Sequence, residues 1–325
     1  MNDLILGVEI GGTKLQLALG QADGEILGVL QGTVNPQDGA AGIQDWLLGK
    51  IPSFLNKAKN YKSRVMKIGC GFGGPINSGQ GEVLKSVQIR GWSGFPLKDW
   101  FESNFNIESI ISNDSNAAAW GEYQKGSGKG SQNFFYTNMG SGVGGGLIIN
   151  GGLHDGRGYG AGKFGQTYVP GWTTELAGQP EKIENLCSGW AIEKRLRKPN
   201  YVPRSSLLYD MCEGNIQQLN SKDLAEAAKE KDQFALKEID QVAFSMGLGL
   251  ANVLCLTSPE VIAIGGGVSQ IGNLLLDPIR KYTAKYEFIT SANRYEIVPC
   301  VLKESIVLVG AILLAYNQTQ DHDTL

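Results

Sequence analysis

Residues 4–19 read LILGVEIGGTKLQLAL, and the architecture is predicted from them outward. Leu4–Ile10 is an apolar run typical of a buried strand, and Leu15–Leu19 has the composition of a second strand. The residues between them, Gly11–Lys14, are too few for a helix and are typical of a tight turn. A third strand is predicted at Ile26–Val34, so the chain is expected to begin with an antiparallel β-meander.

A second strand–turn–strand unit is predicted near the middle of the chain. Asn133–Thr137 and Gly145–Ile149 are apolar runs, and the glycine-rich turn Met139–Gly142 lies between them. The likeness of this turn to Ile10–Thr13 indicates a duplicated architecture. A third glycine cluster, Gly265–Gly267, follows another apolar strand.

The glycine clusters are predicted to bind the phosphates of a nucleotide. Glycine lets backbone N–H groups approach phosphate oxygens, while Thr13 adds a donor and Lys14 a positive charge. Any one cluster could be an ordinary turn, but all of them together favour a nucleotide bound between the two halves of the chain. The predicted nucleotide-binding residues are Gly11, Gly12, Thr13, Lys14, Gly140, Ser141, Gly142, Gly265, Gly266 and Gly267.

Asp114 is the candidate catalytic residue. It follows the strand predicted at Ile107–Ile111 and precedes a helix that begins at Ser115, a place where α/β folds put ligand-binding groups. In phosphoryl transfer, a carboxylate accepts the proton of the attacking hydroxyl. The alternative is that Asp114 or Ser115 only caps the helix, although their neighbours could also cap it.

The composition disfavours several classes of protein. A length of 325 residues with 42% hydrophobic residues allows two domains with real cores. A net charge of -3 offers no basic surface to nucleic acid or to an anionic membrane. The five cysteines are scattered and only two histidines occur, which argues against a disulfide framework and histidine-rich metal sites. Neither a secretory signal nor a membrane-spanning run is predicted, so a cytoplasmic location is expected.

These motifs resemble the ROK family of repressors, open reading frames and sugar kinases over nearly the whole chain. The matching segments occur in the order that the family has, and together they are specific to it. They are Glu9–Lys14, Gly73–Pro75, Asn113–Ala119, Met139–Gly146, Ser188–Ile192 and Pro259–Val268.

The resemblance implies an α/β protein of the actin-like ATPase (ribonuclease H-like) fold, with two domains around a cleft for nucleotide and sugar. It implies an N-terminal α/β domain of residues 1–125, joined by the C-terminal helix 306–317, and a larger C-terminal α/β domain of residues 126–305. A cytoplasmic, homodimeric sugar kinase that uses ATP and Mg²⁺ is implied, with Asp114 as general base and Glu9 near the metal. The implied partner is a small-molecule sugar or polyol, with no nucleic acid and no membrane.

Some positions depart from the family pattern. The positions at which the family contacts its substrate correspond here to Gly74, Gln88, Asn113, Asp114, Lys163, Gln166 and Glu184. Family kinases have Glu-Ile-Gly-His where this chain has Lys163–Gln166, and asparagine where it has Gln88. No cysteine-rich motif follows, so structural zinc is not expected.

The lysine at position 163 bears most on the substrate. A lysine side chain only donates hydrogen bonds, whereas the glutamate that it replaces accepts them. Near Asp114 and Glu184 it is expected to pair with one of these carboxylates. The predicted function is therefore ATP-dependent phosphorylation of a hexose or sugar-like polyol that differs from glucose where Lys163 and Gln166 contact it.

Other interpretations stay open at this point. Lys163 could point to solvent, which would leave glucose as the substrate. A cyclitol, a modified sugar or an acidic sugar would each suit a changed pocket served by the same phosphoryl-transfer machinery. The chain could also be a non-catalytic sugar-binding or regulatory protein that has kept the fold.

Overall fold

The computed structural model of the protein describes residues 4–86, 89–173 and 178–317. The strands in these ranges are β1 (Leu4–Ile10), β2 (Lys14–Gln21), β3 (Ile26–Thr33), β4 (Val65–Phe72), β5 (Ile76–Asn77), β6 (Glu82–Val83), β7 (Glu108–Asn113), β8 (Phe134–Met139), β9 (Val143–Ile149), β10 (Gly152–His154), β11 (Tyr168–Pro170), β12 (Pro180–Lys182), β13 (Val261–Gly265) and β14 (Glu296–Pro299). The helices are α1 (Gly39–Ala58), α2 (Leu97–Phe105), α3 (Asp114–Lys125), α4 (Ile183–Cys187), α5 (Gly189–Leu196), α6 (Leu207–Met211), α7 (Ser221–Lys229), α8 (Gln233–Thr257), α9 (Asn273–Tyr286) and α10 (Ile306–Asn317).

Two five-stranded sheets of the same topology form the frame of the molecule. The first sheet has the strand order β3-β2-β1-β4-β7 and the second has the order β10-β9-β8-β13-β14. In each sheet the first three strands of this order pair antiparallel, and the remaining two extend the sheet in parallel. The meander at the N-terminus and the duplicated architecture are therefore both confirmed.

The central strand β1 is buried on both faces, which explains why all of its residues except Glu9 are apolar. On one face, Leu6 belongs to a cluster that contains Leu47 of α1. On the other face, Ile5 belongs to a cluster that contains Ile312 of α10. Burial of each such aliphatic side chain contributes about 1.5–3 kcal/mol relative to exposure, so helices on both faces stabilise the first sheet.

Helix α10 returns to the first half of the chain, as predicted, and lies against β4 and α3. A Cβ atom at Gly69 would lie 2.0 Å from the carbonyl oxygen of Ala311, and one at Gly310 would lie 1.7 Å from that of Ala117. Only glycine allows backbones to approach this closely. The packing fixes the C-terminal helix to the first sheet, while the domain bounds at residues 125 and 305 stay a prediction.

Three helical segments differ from the sequence-based prediction. Proline inside a helical pattern predicts an interruption of α1 at Pro52, and this prediction is wrong, since the helix continues through this residue. Pro52 is exposed, as is Leu48, whose carbonyl loses a donor and can bind water instead. The apolar spacing in residues 224–256 predicts a single long helical stretch. The structure divides it into α7 and α8, because Lys231 has a φ of 64° and Asp232 caps α8.

The third difference is the segment 170–203, which the sequence predicts to be irregular and which contains α4 and α5 in the structure. The hydroxyl of Ser188 accepts a hydrogen bond from the N–H of Ala191 and so caps α5. Each of these helices is too short to show a clear helical period in the sequence.

Helix α8 is long and apolar enough to cross a membrane by length and composition alone. However, 56% of its most apolar window is buried inside the protein. Ile239, Val242 and Met246 all belong to the core that supports the second sheet. These properties are those of the core helix of a folded α/β protein.

Candidate active site

A cavity of about 620 Å³ opens where strands of both sheets end. It is lined by all three predicted glycine turns and by Asp114. The predicted nucleotide-binding residues that line it are Gly11, Gly12, Thr13, Lys14, Gly140, Ser141, Gly265, Gly266 and Gly267. Gly142 lies in the same turn as Gly140, and its carbonyl accepts a hydrogen bond of 2.9 Å from the N–H of Gly140.

Local backbone contacts explain why these turns lie at one place. The N–H of Gly11 donates to the carbonyl of Lys14 over 3.0 Å and closes the β1–β2 hairpin. Gly266 has a φ of 89°, and a Cβ there would lie 2.5 Å from the carbonyl oxygen of Met139. The third turn therefore packs directly on the second, which requires glycine at position 266.

Asp114 is the first residue of α3 and lies directly after β7. Its Oδ1 accepts hydrogen bonds from the N–H of Ser115 (2.7 Å) and from Nδ2 of Asn113 (3.1 Å). Its Oδ2 points toward Gly73, where a Cβ would lie 3.4 Å from it. Burial raises the pKa of Asp114, and the hydrogen bond from Ser115 and the charge of Lys163 oppose that rise. One carboxylate oxygen is thus held by the protein and the other is left to act on a ligand.

Asn113 links Asp114 to the predicted sugar loop. Its Nδ2 donates to the carbonyls of Phe72 (3.3 Å) and Gly74 (3.0 Å). Its Oδ1 is buried and has no hydrogen-bond partner in the described parts of the chain. A buried acceptor without a donor costs free energy, so this oxygen is suited to a hydroxyl of a bound substrate.

Lys163 is half-buried, and a Cβ at Gly160 would lie 2.8 Å from its Nζ, so its side chain lies against its own loop rather than extending freely into solvent. Burial lowers the pKa of Lys163, and the carboxylates of Asp114 and Asp155 oppose that fall. The charge of Asp114 therefore acts on Lys163, while a direct pairing of Lys163 with Asp114 or Glu184 stays a prediction. The second carboxylate, Asp155, was not anticipated from the sequence.

Glu184 and Gln166 pair with each other instead. Oε1 of Glu184 accepts a hydrogen bond of 3.1 Å from Nε2 of Gln166, and Oε2 accepts one of 3.0 Å from the N–H of Val143. A Cβ at Gly142 would lie 2.8 Å from Oε2, so Glu184 supports the second glycine turn. Contact of Glu184 and Gln166 with a substrate stays a prediction, and Gln88 lies outside the described residues.

Glu9 faces the first glycine turn from the end of β1. Its Oε2 is buried without a hydrogen bond in the described residues, and the ammonium of Lys14 lies 3.5 Å away. Lys14 is also 3.3 Å from the carboxylate of Glu304. Burial raises the pKa of Glu9 to about 7, although the charge of Lys14 opposes the rise.

Some residues at the site were missed by sequence reasoning. Asn138 directly precedes the second glycine turn, and its Oδ1 accepts a hydrogen bond of 3.1 Å from the N–H of Gly144. Its position directly before a predicted nucleotide-binding turn could have indicated that Asn138 belongs to the site. Asp155 directly follows His154 in a glycine-rich loop, which was a weaker signal. Nothing in the sequence near Glu304 indicates the site.

Two sheets of identical topology, whose glycine turns and one strand-end carboxylate meet at a shared cavity, define the actin-like (ribonuclease H-like) ATPase fold. A profile of the ROK family matches residues 5–318, and the chain belongs to that family.

Relatives within the family align with nearly the full length of the chain. A glucokinase of Halalkalibacterium halodurans is 33% identical over 316 residues, which cover 96% of this chain and 95% of that protein. A glucokinase of Streptomyces coelicolor is 32% identical over 318 residues, with 96% and 97% covered. Among solved structures, a ROK family glucokinase from Streptomyces griseus, in complex with glucose and AMPPNP, has a TM-score of 0.81 and 31% identity, with 97% and 99% covered.

Proposed function

We propose that the protein is an ATP-dependent kinase that phosphorylates a hydroxyl of a hexose or sugar-like polyol. The observation that carries the proposal is the position of Asp114. One of its oxygens accepts hydrogen bonds from Ser115 and Asn113, and the other points toward Gly73. Asp114 also lines the cavity into which the three glycine turns open. Similarity to glucokinases over nearly the whole chain supports the same activity.

The nucleotide is assigned to the cavity. The turns at Gly11–Lys14 and Gly140–Gly142 direct backbone N–H groups at the phosphates of ATP, and Lys14 adds a positive charge. The turn at Gly265–Gly267 offers bare backbone against which the nucleoside can pack. These roles follow from the lining of the cavity and from the chemistry of glycine turns.

Asp114 acts as the general base. The substrate oxygen attacks the γ-phosphorus, its proton passes to Oδ2 of Asp114, and the bond between the phosphorus and the bridging oxygen of ADP breaks. Proton acceptance of this kind contributes about 10²–10⁴-fold to the rate. Asn113 orients both the carboxylate and the loop that carries Gly74.

Glu9 suits a magnesium ion. Its buried Oε2 has no hydrogen-bond partner in the described residues other than the ion pair with Lys14 at 3.5 Å, and it is a hard anionic ligand beside the phosphate turn. Proteins hold Mg²⁺ through one or two carboxylates together with substrate phosphates. No group of three or more metal-ligating side chains occurs among the residues that the structure describes, so the nucleotide would supply most ligands. When bound, Mg²⁺ would neutralise charge on the phosphates.

The presence of Lys163 favours a substrate that differs from glucose at the atom that contacts the Lys163 ammonium. Its ammonium, which the charge of Asp114 attracts, can only donate, so it binds oxygens that accept, and it does not suit a glucose hydroxyl that must donate its proton at this position. A modified sugar or a cyclitol with a suitably placed oxygen meets this condition. The nearby carboxylates of Asp114 and Asp155 make a strongly acidic sugar a poorer match.

The proposal extends to a homodimeric enzyme in the cytoplasm. All five cysteines are free, as expected in a reducing compartment. Phe288 and Ile289 are 59% and 80% exposed and offer apolar surface for a second copy. Sedimentation equilibrium tests the dimer, and a monomeric mass at micromolar concentration would remove it from the proposal.

ADP release from the purified protein tests the activity. ATP and Mg²⁺ are supplied with a panel of hexoses, amino sugars, sugar acids and cyclitols, and Asp114→Asn serves as the control. Release that depends on one substrate class and is lost in Asp114→Asn supports the kinase and identifies its substrate. A protein that binds ATP but releases no ADP with any of them would instead be a sugar-binding or regulatory protein.

A further inference from the structure

The loop that follows β10 is joined to the first half of the chain by Asp155. Its Oδ1 accepts a hydrogen bond of 2.6 Å from Nδ2 of Asn116, on α3. Its Oδ2 accepts a short hydrogen bond from the hydroxyl of Ser78, in the turn between β5 and β6. We call these contacts of Ser78, Asp155 and Asn116 the clasp.

A main-chain contact reinforces the clasp. The N–H of Ser78 donates to the carbonyl of Gly158 over 2.8 Å, and the hydroxyl of Ser78 lies 3.1 Å from the same oxygen. Hydrogen bonds to a carboxylate are stronger than those between neutral groups. The bonds to Asp155 are therefore the strongest of the contacts that hold this loop, one against α3 through Asn116 and one against the β5–β6 hairpin through Ser78.

The same loop ends at Lys163, and its geometry places the ammonium near the clasp. A Cβ at Gly160 would lie 2.8 Å from Nζ of Lys163 and 3.7 Å from Oδ1 of Asp155. Lys163 forms a direct salt bridge with neither Asp155 nor Asp114, yet both carboxylates attract it. The ammonium is thus held near two negative charges and keeps its donors for another partner.

We propose that Asp155 is a positioning residue for substrate specificity. By fastening the loop to Ser78 and Asn116, it holds Lys163 in place at the end of that loop, where the ammonium of Lys163 donates a hydrogen bond to an oxygen of the substrate. The inference rests on the proposed kinase function and adds to it a residue that acts only through Lys163.

Kinetic constants of Asp155→Asn and Ser78→Ala test the proposal. Both changes raise KM for the sugar roughly tenfold or more, the effect of losing one charge-assisted hydrogen bond. KM for ATP stays within about twofold, because the contact that is lost binds the sugar and not the nucleotide. Arg157→Ala, an exposed change in the same loop, and Gln80→Ala, in the same hairpin, serve as matched controls and leave both constants unchanged.

A double variant separates positioning from a general structural effect. If Asp155 acts through Lys163, then Asp155→Asn adds no further rise in sugar KM when Lys163→Met is already present. Asp155→Glu, which keeps the charge, recovers part of the lost affinity. Additive effects of Asp155→Asn and Lys163→Met, or equal rises in the KM values for sugar and ATP, would overturn the proposal.

Hydrogen–deuterium exchange gives a readout that does not depend on activity. Amides of residues 155–163 exchange faster in Asp155→Asn and Ser78→Ala than in the wild type or in the two controls. Unchanged exchange would show that the clasp does not hold the loop and would refute the proposal. A wild-type protein that phosphorylates no sugar would refute the kinase function and the substrate role of Lys163, while exchange would still decide the clasp.

Discussion

The carboxylate of Glu122 accepts a hydrogen bond of 2.6 Å from the main-chain N–H of Val301, a residue 179 positions away in the sequence. It also accepts from the N–H of Leu302 (3.1 Å) and from the N–H and hydroxyl of Ser127. The chain connects the two sheets by two segments, one after α3 and one before α10. The buried side chain of Glu122 therefore holds both connecting segments.

We predict that Glu122→Ala lowers the free energy of unfolding by about 3 kcal/mol or more, because several hydrogen bonds to one charged acceptor are lost and each such bond contributes about 1.5–3 kcal/mol. Urea denaturation followed by tryptophan fluorescence measures this change. Glu226→Ala is the matched control, since that residue is exposed and paired only with Lys229, and its cost should stay below about 1 kcal/mol. Equal costs for the two variants would contradict the role assigned to Glu122.

The contact between α3 and α10 gives a second prediction. Gly310→Ala places a methyl group 1.7 Å from the carbonyl oxygen of Ala117, and overpacking of this kind costs about 1–3 kcal/mol or more. Gly49→Ala is the control, because a Cβ there meets nothing within 4 Å and alanine is favoured over glycine in a helix by roughly 1 kcal/mol. Thermal unfolding should show a lower Tm for the first and an unchanged or higher Tm for the second.

The third glycine turn predicts a selective loss of nucleotide affinity. Gly266→Ala would push the turn away from Met139, since the added Cβ lies 2.5 Å from its carbonyl oxygen. We expect binding of a fluorescent ATP analogue to weaken about tenfold or more, which corresponds to roughly 1.4 kcal/mol. Gly130→Ala has a matching positive φ of 92° with nothing within 4 Å, so it controls for backbone strain. Equal affinities in the two variants would argue against this turn as part of the nucleotide site.

The charge of Lys163 predicts a change in the pH dependence of activity. Burial raises the pKa of Asp114 and Lys163 opposes that rise, so Lys163→Met should raise the pKa further. A general base works only when deprotonated, and activity is lost as the pH falls through its pKa. The acid limb of log kcat/KM against pH should therefore move to higher pH in Lys163→Met and stay in place in Lys129→Met, an exposed control. Burial raises the pKa of Glu9 to about 7, and its titration affects all variants alike. A shift of the acid limb to lower pH in Lys163→Met would contradict the account.

Much of the frame could be predicted from local sequence. The bounds of β1 were predicted without error, since Leu4–Ile10 is an apolar run that ends in glycine. Asp114 could be identified because a strand ends directly before it and a helix begins with it. Such features depend on neighbours in the sequence, which is why they are legible there.

Contacts between distant segments could not be predicted in this way. The pairing of Ser78 with Asp155 joins residues 77 positions apart, and no periodicity or spacing indicates it. Lys163 was expected near Asp114 or Glu184, but Glu184 is instead engaged by Gln166 and Val143. Choosing between two candidate carboxylates required the direction of each side chain, which only the packed structure determines.

The most direct test of the account is the product that the enzyme makes. Wild-type protein and Asp114→Asn are first shown to bind AMPPNP with equal affinity, and each is then incubated with ATP, Mg²⁺ and the best sugar of the panel. Mass spectrometry and ³¹P NMR should detect a sugar phosphomonoester with the wild type, and a yield about 10²–10⁴-fold lower with Asp114→Asn. Equal formation of the phosphorylated sugar by both proteins would contradict the assignment of Asp114 as the base, and hydrolysis of ATP to free phosphate alone would contradict the kinase function.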